Sequence, residues 1–564
     1  MISENIASFL ENMGTKYVFG VPGSTTVSLI NAISQSGKIK FISSLHENAS
    51  LGMADGYVRA SGKIGVVVLH TTPGLTTAFP NLYNSFVDDV PLLILVGDVN
   101  SKALIKQPGL SLDDLKNLVK PVTRWCYYAK TTSDVTIALE RSASLLNSAQ
   151  PGPCCILIPE DILEQDYEKE VATPASGKVT ITPDSKDLEN VVAAVDSARW
   201  PVLLVGREVK SKESISALVE FADSLSIPVL LESPYPSAYN VSFPQDNTCY
   251  LGLFRREAEA LQGTDLIIGL GGHLLTERKF YNEEPFDKKT KVVHIHSSPW
   301  ELGKNIATNV PIMGTPDIAA VMMKDIAGRI KPQTKLREER RTRIELLHSK
   351  RLAERKRLMS KSGDSGGIKP WKLVEALQDV LKSEDYVIVD EGVVASSYLS
   401  ETFIFTQPDS LIGRSAGSLG WGVSAAIGAK LARPEKKVLA FVGDGALLFG
   451  PQCLWSASHY GIPVTVIVCN NSGYASVGLA YDSYGKRSKK KILHTGCEIA
   501  APEVDIQKLA ESLGANAESI TKESEIRTSL KKAITSNSLS LLDVHIDPRE
   551  SGYEGSVGMN SSWT

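Results

Sequence analysis

Eleven short runs rich in branched apolar residues punctuate the chain: "IGVVVLH", "PLLILVGD", "CCILIPED", "PVLLVG", "PVLLES", "DLIIGLGG", "KVVHIHSS", "DYVIVDEG", "KVLAFVGDG", "PVTVIVCNN" and "LLDVHID". Each is apolar at consecutive positions, so the strand it forms must be covered on both faces. Longer amphipathic stretches separate the runs, and strands of this kind with helices between them build parallel sheets wrapped by helices. The pattern predicts an α/β protein. At 564 residues, and with about 100–200 residues to a domain, it predicts three consecutive doubly wound parallel-sheet domains.

Two breaks place the boundaries. The segment 166–185, "DYEKEVATPASGKVTITPDS", is polar and carries Pro and Gly, so it reads as a linker after a first domain at 1–165. A central domain is expected at 186–330. From 331 to 367 run a helix rich in Arg, Lys and Glu and the flexible "SGDSGG". Glu338, Glu339, Glu345 and Glu354 supply near-neighbour ion pairs along that helix, which favours a solvated connector over a nucleic-acid element. A third domain is expected at 368–550, with a C-terminal tail at 551–564.

Charge excludes some functions. Sixty Lys and Arg stand against 64 Asp and Glu, so nothing global attracts nucleic acid or an anionic membrane. No apolar run reaches the roughly 18 residues needed to span a bilayer. The opening "MISENIASFLENMG" sets Ile6, Phe9, Leu10 and Met13 on one helical face behind an acidic start, unlike a secretory signal. Seven cysteines include no C-x-x-C pair, and several sit inside strand-like runs, where they read as small buried hydrophobes. The expectation is a cytoplasmic protein with no nucleic-acid or membrane partner.

The stretch "FVGDGALLFG" carries the chemistry. In open parallel sheets ligands bind beyond the carboxyl ends of strands, where helix N-termini supply free N–H groups. There Gly443 and Gly445 permit close approach of a phosphate, and Asp444 can coordinate a hard cation. The next buried run, "VTVIVC", ends in Asn470-Asn471, and a right-handed crossover sets its tip beside that of the preceding strand. Asn471 therefore lands next to Asp444, 27 residues earlier. A carboxylate, a side-chain carbonyl, a main-chain oxygen and two phosphate oxygens would complete an octahedral magnesium site.

Gly-Asp-Gly followed about 25 residues later by Asn-Asn resembles the cofactor fingerprint of thiamine diphosphate enzymes, and the stretch from "SAGSLGWGVSAAIGAKLARPEKKVLAFVGDG" through "VTVIVCNN" is similar throughout to their diphosphate-binding domain. The resemblance implies thiamine diphosphate and Mg²⁺ as cofactors, with Asp444, Asn471 and the main chain of Gly473 on the metal. It also implies that Gly443, the turn Gly445-Ala446 and Tyr474 contact the diphosphate. In the first domain, "VFGVPGSTTVSLINAI", "LHENASLGMADGYVRASGK" and "LHTTPGLTTAFPNLYNSFVDDVPLLILVGD" resemble, in that order, the pyrimidine-binding domain of 2-oxo acid decarboxylases and acetolactate synthases. Glu47, between the strand-like "FISSL" and "NASLGMADG", matches their catalytic acid. Read alone, it is an ordinary helix-start acid that favours the helix dipole. A carboxyl group hydrogen-bonded to the pyrimidine lets the coenzyme's own amino nitrogen act as an intramolecular base, an effect worth up to about 7–11 kcal/mol. That requires a bent cofactor. By the same likeness Leu419 supports the bend and the carbonyl of Gly417 receives the amino group.

Benzoylformate decarboxylase is the member most resembled, through Ser24 in "VPGSTT" and His70 in "LHTTPG", which match its serine and histidine at the substrate. The reading is therefore non-oxidative decarboxylation of a 2-oxo acid to an aldehyde and CO₂; an acetolactate synthase-type carboligase is the alternative. A dehydrogenase or an inactive scaffold is a third class. It would be built on the same sheets, and Glu47 together with Asp444 and Asn471 argues against it; the Gly-Leu-Gly-Gly of "DLIIGLGGHLL" lacks the full G-x-G-x-x-G spacing, so the Rossmann-like central domain is read as structural. Ala480 stands where the decarboxylase has an aromatic residue, which argues against an aryl substrate. Val393 and Val394 replace hydroxyls expected at the diphosphate, so main-chain groups or Ser396 and Ser397 are expected to substitute. His273 reads as structural. The family implies a homodimer or homotetramer with active sites at subunit interfaces.

Overall fold

The computed structural model describes residues 1–167, 174, 177–233, 238–277, 280–329, 333–360 and 367–548. The predicted tail 551–564 and most of the "SGDSGG" stretch predicted as flexible lie outside them.

Three six-stranded, wholly parallel sheets follow one another along the chain. The first comprises β1 (Tyr17–Gly20), β2 (Lys40–Ser43), β3 (Gly65–His70), β4 (Leu92–Asp98), β5 (Trp125–Tyr128) and β6 (Cys154–Pro159), in the order β2-β1-β3-β4-β6-β5. The second comprises β7 (Pro201–Val205), β8 (Val229–Leu231), β9 (Tyr250–Leu253), β10 (Leu266–Leu270), β11 (Lys291–His296) and β12 (Val310–Met313), in the order β12-β11-β10-β7-β8-β9. This is the doubly wound dinucleotide-fold order. The third comprises β13 (Tyr386–Glu391), β14 (Leu411–Ile412), β15 (Lys437–Gly443), β16 (Thr465–Asn470), β17 (Asn516–Ile520) and β18 (Ser540–His545). Its order, β14-β13-β15-β16-β18-β17, repeats that of the first sheet strand for strand. The predicted fold class holds, and all eleven apolar runs lie on strands.

The first and third sheets also share a core. The helix after β2, Glu47–Ser61, packs on the helix after β14, Gly422–Ala432, and the crossing is close enough to require glycine. A methyl on Gly56 would strike the backbone of Ala425, and one on Gly428 the carbonyl of Met53. A Gly428→Ala protein should lose about 3 kcal/mol or fail to fold, the scale of an overpacked core. Its urea midpoint relative to the parent checks this.

All three sheets meet at Asp88, which is buried. Arg59 reaches it at 2.8 Å while also pairing with Asp55, and Arg207 of the second sheet pairs with it as well. Ser415 N–H donates to the same carboxylate at 3.1 Å. Burial would raise the Asp88 pKa, but Arg207 and Arg59 hold it well below the usual carboxylate range.

The charged helix, Thr334–Met359, departs from a purely solvated connector. Arg340 is 1% exposed and donates to the carbonyls of Leu225, Val195 and Asp196, groups left open at the ends of two helices of the central domain. Ile344, Leu347 and Leu358 are buried beside it, while Arg341–Glu345 and Arg357–Glu354 pair on its outer face. All seven cysteines are buried and free. Among the described residues no helix is long and apolar enough to cross a membrane.

Candidate active site

In the order 2-1-3, the winding direction reverses between the first and third strands, and a crevice opens beyond their carboxyl ends. In the first sheet that crevice lies between the loop after β1, which carries Ser24, and the end of β3, which is His70. In the third sheet it lies between Gly392–Val394 and Asp444, with the tip of β16 on the far side. The residues singled out from the sequence thus fall at two topologically equivalent places.

At the third-sheet crevice, Asp444 opens the helix Asp444–Leu448 and is 5% exposed. Its Oδ2 and the Oδ1 of Asn471 both accept from the main-chain N–H of Gly473, at 2.9 and 3.2 Å. A carboxylate and an amide oxygen therefore converge on one point. Burial pushes the Asp444 pKa up to about 6, aided by Asp543; the N–H groups of Gly445 and Gly473 oppose it. The first asparagine has another task. Asn470 donates from Nδ2 to Asp543 at 3.0 Å and accepts from Ser472 N–H, which shapes the turn that presents Asn471. Tyr474 lies across Gly445: a Cβ there would sit 2.6 Å from the ring.

Among the described residues no group of three or more His, Cys, Asp or Glu could hold a metal. One carboxylate and one amide cannot satisfy a cation alone. They suit a hard ion that takes its remaining oxygens from main chain, water and an anionic ligand, the coordination habit of Mg²⁺. Backbone strain marks the same rim: Val393, a β-branched residue, has φ 51°, and Ser472 has φ 55°. Ser396 donates to Asp390 at 2.7 Å and Ser397 to the carbonyl of Val394 at 2.6 Å. Both hydroxyls are buried and committed inward, so of the two expected substitutes for the missing hydroxyls only main-chain groups remain.

At the first-sheet crevice, Glu47 opens its helix half-buried, and Thr77 Oγ1 donates to its Oε2 at 2.7 Å. Across Gly74, which leaves the space open, stands His70; a Cβ on that glycine would lie 3.5 Å from both Glu47 Oε1 and His70 Cβ. His70 Nδ1 is 2.8 Å from Thr25 Oγ1. Ser24 is exposed at the start of the turn Ser24–Thr26, and its hydroxyl makes no hydrogen bond among the described residues. The structure brings Glu47, His70 and the Ser24 loop together.

Gly417 and Leu419 lie on the loop before the helix Gly422–Ala432, with Gly417 exposed and open space about its α-carbon. Between them Ser418 is gripped through its backbone by Asn84, whose Oδ1 accepts from Ser418 N–H at 3.3 Å and whose Nδ2 donates to Ser418 O at 3.1 Å. Asn84 in turn bonds Asn81, and Asn81 bonds Asn48, the residue after Glu47. No sequence motif marked Asn84, Asn81, Thr25 or Thr77, although all lie inside the quoted first-domain stretches. His273 is held by Glu301 at 3.0 Å in the central domain, a structural place. Among the described residues no hydrogen bond or ion pair links the Glu47–His70 group to the Asp444–Asn471 group.

Two equivalently wound sheets, one presenting an acid and a histidine and the other a buried carboxylate–amide pair, define an α/β protein with paired crevices at its strand tips, the places where such sheets take up ligands. Comparison with known proteins gives the family. Residues 2–115 match the N-terminal TPP binding domain of thiamine pyrophosphate enzymes, 188–323 the central domain and 394–544 the C-terminal TPP binding domain. The acetolactate synthase large subunit of Haemophilus influenzae is 30% identical over 569 residues, covering 98% of this chain and 95% of its own length. The acetolactate synthase isozyme 3 large subunit of Escherichia coli K12 is 26% identical over 584 residues, covering 100% and 98%. Among solved structures, benzoylformate decarboxylase from Polynucleobacter necessarius superposes with a TM-score of 0.85 at 20% identity, covering 97% of this chain and 99% of that one. The 4-hydroxybenzoylformate decarboxylase of Rhodococcus jostii RHA1 gives 0.80 at 22%, covering 98% and 100%. These two likenesses speak to the fold. The chain belongs to the thiamine pyrophosphate enzyme family.

Proposed function

We propose that this protein decarboxylates a 2-oxo acid without oxidation, releasing an aldehyde and CO₂, with thiamine diphosphate and Mg²⁺ as cofactors. The observation that carries the reading is the convergence of Asp444 and Asn471 on Gly473 N–H, a ready oxygen cradle for a hard cation. Asp444, Asn471 and the Gly473 main chain hold the metal, and Gly443, Gly445, Ala446 and Tyr474 border the diphosphate. Glu47 binds the pyrimidine, the Gly417 carbonyl receives its amino group, and Leu419 supports the bend. Bound there, the coenzyme supplies a carbon nucleophile toward the keto group and an electron sink as CO₂ leaves. His70 moves the proton that product formation requires, and the Ser24 hydroxyl binds the substrate carboxylate. The small side chain of Ala480 suits an aliphatic substrate.

A second reading has its own support. The relatives that match along nearly the whole chain are acetolactate synthases, which favours capture of a second 2-oxo acid in place of a proton. Incubating the protein loaded with Mg²⁺ and thiamine diphosphate with pyruvate, branched 2-oxo acids and benzoylformate separates the two. Aldehyde equimolar with CO₂ supports the first and an acetohydroxy acid the second; turnover of none of them removes both.

The two halves of the cofactor fall to different domains, and in the thiamine pyrophosphate enzyme family those belong to different subunits, so each cofactor is expected to bridge the first domain of one subunit and the third of another, in a homodimer or homotetramer. Full activity at the light-scattering mass of a single chain would contradict this. The free buried thiols suit a cytoplasmic enzyme.

A further inference from the structure

We infer that Thr25 is a positioning residue that fixes the tautomer of His70, so that Nδ1 carries the resident proton and Nε2 is the atom that gives and takes protons at the site. A directional chain of two bonds carries this inference. Thr25 Oγ1 lies 2.8 Å from the carbonyl oxygen of Gly97, at the end of β4, and 2.8 Å from His70 Nδ1. A hydroxyl has one proton to give and lone pairs to accept with, whereas a carbonyl oxygen can only accept. The Thr25 proton must therefore go to Gly97, and Thr25 can meet His70 only as an acceptor. Neutral His70 then keeps its hydrogen on Nδ1. With the roles reversed, two oxygens would face each other at 2.8 Å with no proton between them, at a hydroxyl whose residue is 2% exposed.

The ring is pinned in that orientation from behind. Gly23 backs it so closely that a Cβ at that position would lie 2.5 Å from His70 Cβ and Cγ and 2.8 Å from Nδ1. Gly23 is itself held by the Thr26 hydroxyl, which accepts from its N–H at 3.2 Å and donates to its carbonyl at 2.9 Å. His70 Nε2 meets no protein partner among the described residues. Glu47 shares the space over Gly74 with the His70 side chain.

The catalytic weight of this arrangement rests on the role proposed for His70. The overall reaction, RCOCOO⁻ + H⁺ → RCHO + CO₂, consumes one proton. The imidazolium form carries hydrogens on both nitrogens. It gives up the one on Nε2, whose bonding pair stays behind as a lone pair, and the ring is left neutral with Nδ1–H still bonded to Thr25. Solvent returns a proton to Nε2. Without the Thr25 acceptor, neutral His70 distributes its hydrogen over both nitrogens, and part of the population presents the wrong atom.

Nitrogen-15 NMR of the cofactor-free parent labelled at histidine, with His70 assigned by its disappearance in His70→Ala, reads the tautomer without reference to catalysis. At about pH 9, where imidazoles are neutral, the expected result is Nδ1–H. Thr25→Val should give a mixture and lower kcat about tenfold, the scale of one oriented hydrogen bond; Thr25→Ser, which keeps the hydroxyl, should restore both. Should Thr25→Val fail to fold, the parent and the serine variant still decide the tautomer. An Nε2–H parent, or a folded Thr25→Val protein with parental tautomer and rate, overturns the inference. If His70→Ala is fully active while the parent reads Nδ1–H, the structural assignment stands and the proposed role of His70 falls.

Discussion

A Glu47→Gln protein turns over its 2-oxo acid about 10²–10⁴-fold more slowly than the parent, the range for losing a positioned proton-transfer group. Glutamine has the same shape, and its amide oxygen can still accept from Thr77, the bond that holds Glu47 Oε2 at 2.7 Å. The helix start is capped independently, His46 Nδ1 accepting from Asn48 N–H at 3.2 Å, so the fold does not depend on the charge. The loss is therefore chemical. Glu47→Asp should also fall, by about 10²-fold, because shortening the chain by one methylene withdraws the carboxyl by about 1 Å. Coenzyme affinity in both variants should stay near the parental value, since the atoms proposed to grip metal and diphosphate lie on the third sheet. Equal turnover of Glu47→Gln and parent would falsify the role given to Glu47.

What could be read from the sequence follows the physics of parallel sheets. Interior strands such as β4, β10 and β16 are buried along their whole length, so their middle positions are continuously apolar and the run stands out. None of the six edge strands, β2, β5, β9, β12, β14 and β17, announced itself by such a run, and β2 was marked only by the shorter strand-like "FISSL". β12 has one buried residue in four, β14 is two residues long, and β17 has one buried residue in five. β1 is interior but only four residues long, and "YVFG" merges with the following turn.

The approach of Asp444 to Asn471 was legible because the two residues follow directly on neighbouring strands, where local spacing fixes their distance. Asn84 works on Ser418 across 334 positions, and Thr25 on Gly97 across 72; no local pattern encodes either contact. Arg340 misled for a different reason. It is one cation among many on a polar helix, and only the carbonyls that meet it, on residues 195, 196, 198 and 225, make it a buried residue.

Asp444→Asn should separate the cost of the site from its use. Without cofactor, the folded protein holds Asp444 at a pKa of about 6, raised first by burial, against 3.8 for the free side chain. Between those values the folded state binds the proton that the unfolded chain has lost, so stability falls as pH rises from about 4 to about 6 and then levels off, by about 3 kcal/mol in all. Asparagine cannot ionise and keeps an oxygen for Gly473 N–H. The cofactor-free variant should therefore be the more stable protein at pH 8 and equal to the parent at pH 4. Asp390, also held near 6 by burial, titrates in the same window, but it does so in both proteins and cancels in the comparison. Adding Mg²⁺ with thiamine diphosphate should reverse the ranking. In the parent the cation neutralises the buried carboxylate, and binding to the native state alone raises stability by mass action. In the variant, with a metal-facing charge removed, affinity should fall by at least about 100-fold and added cofactor should leave the unfolding midpoint unmoved. Denaturation at pH 4 and pH 8, with and without cofactor, measures all four states. A variant that gains nothing at pH 8 without cofactor would show that Asp444 carries no buried charge, and one that binds cofactor at parental concentration would show that it does not hold the metal.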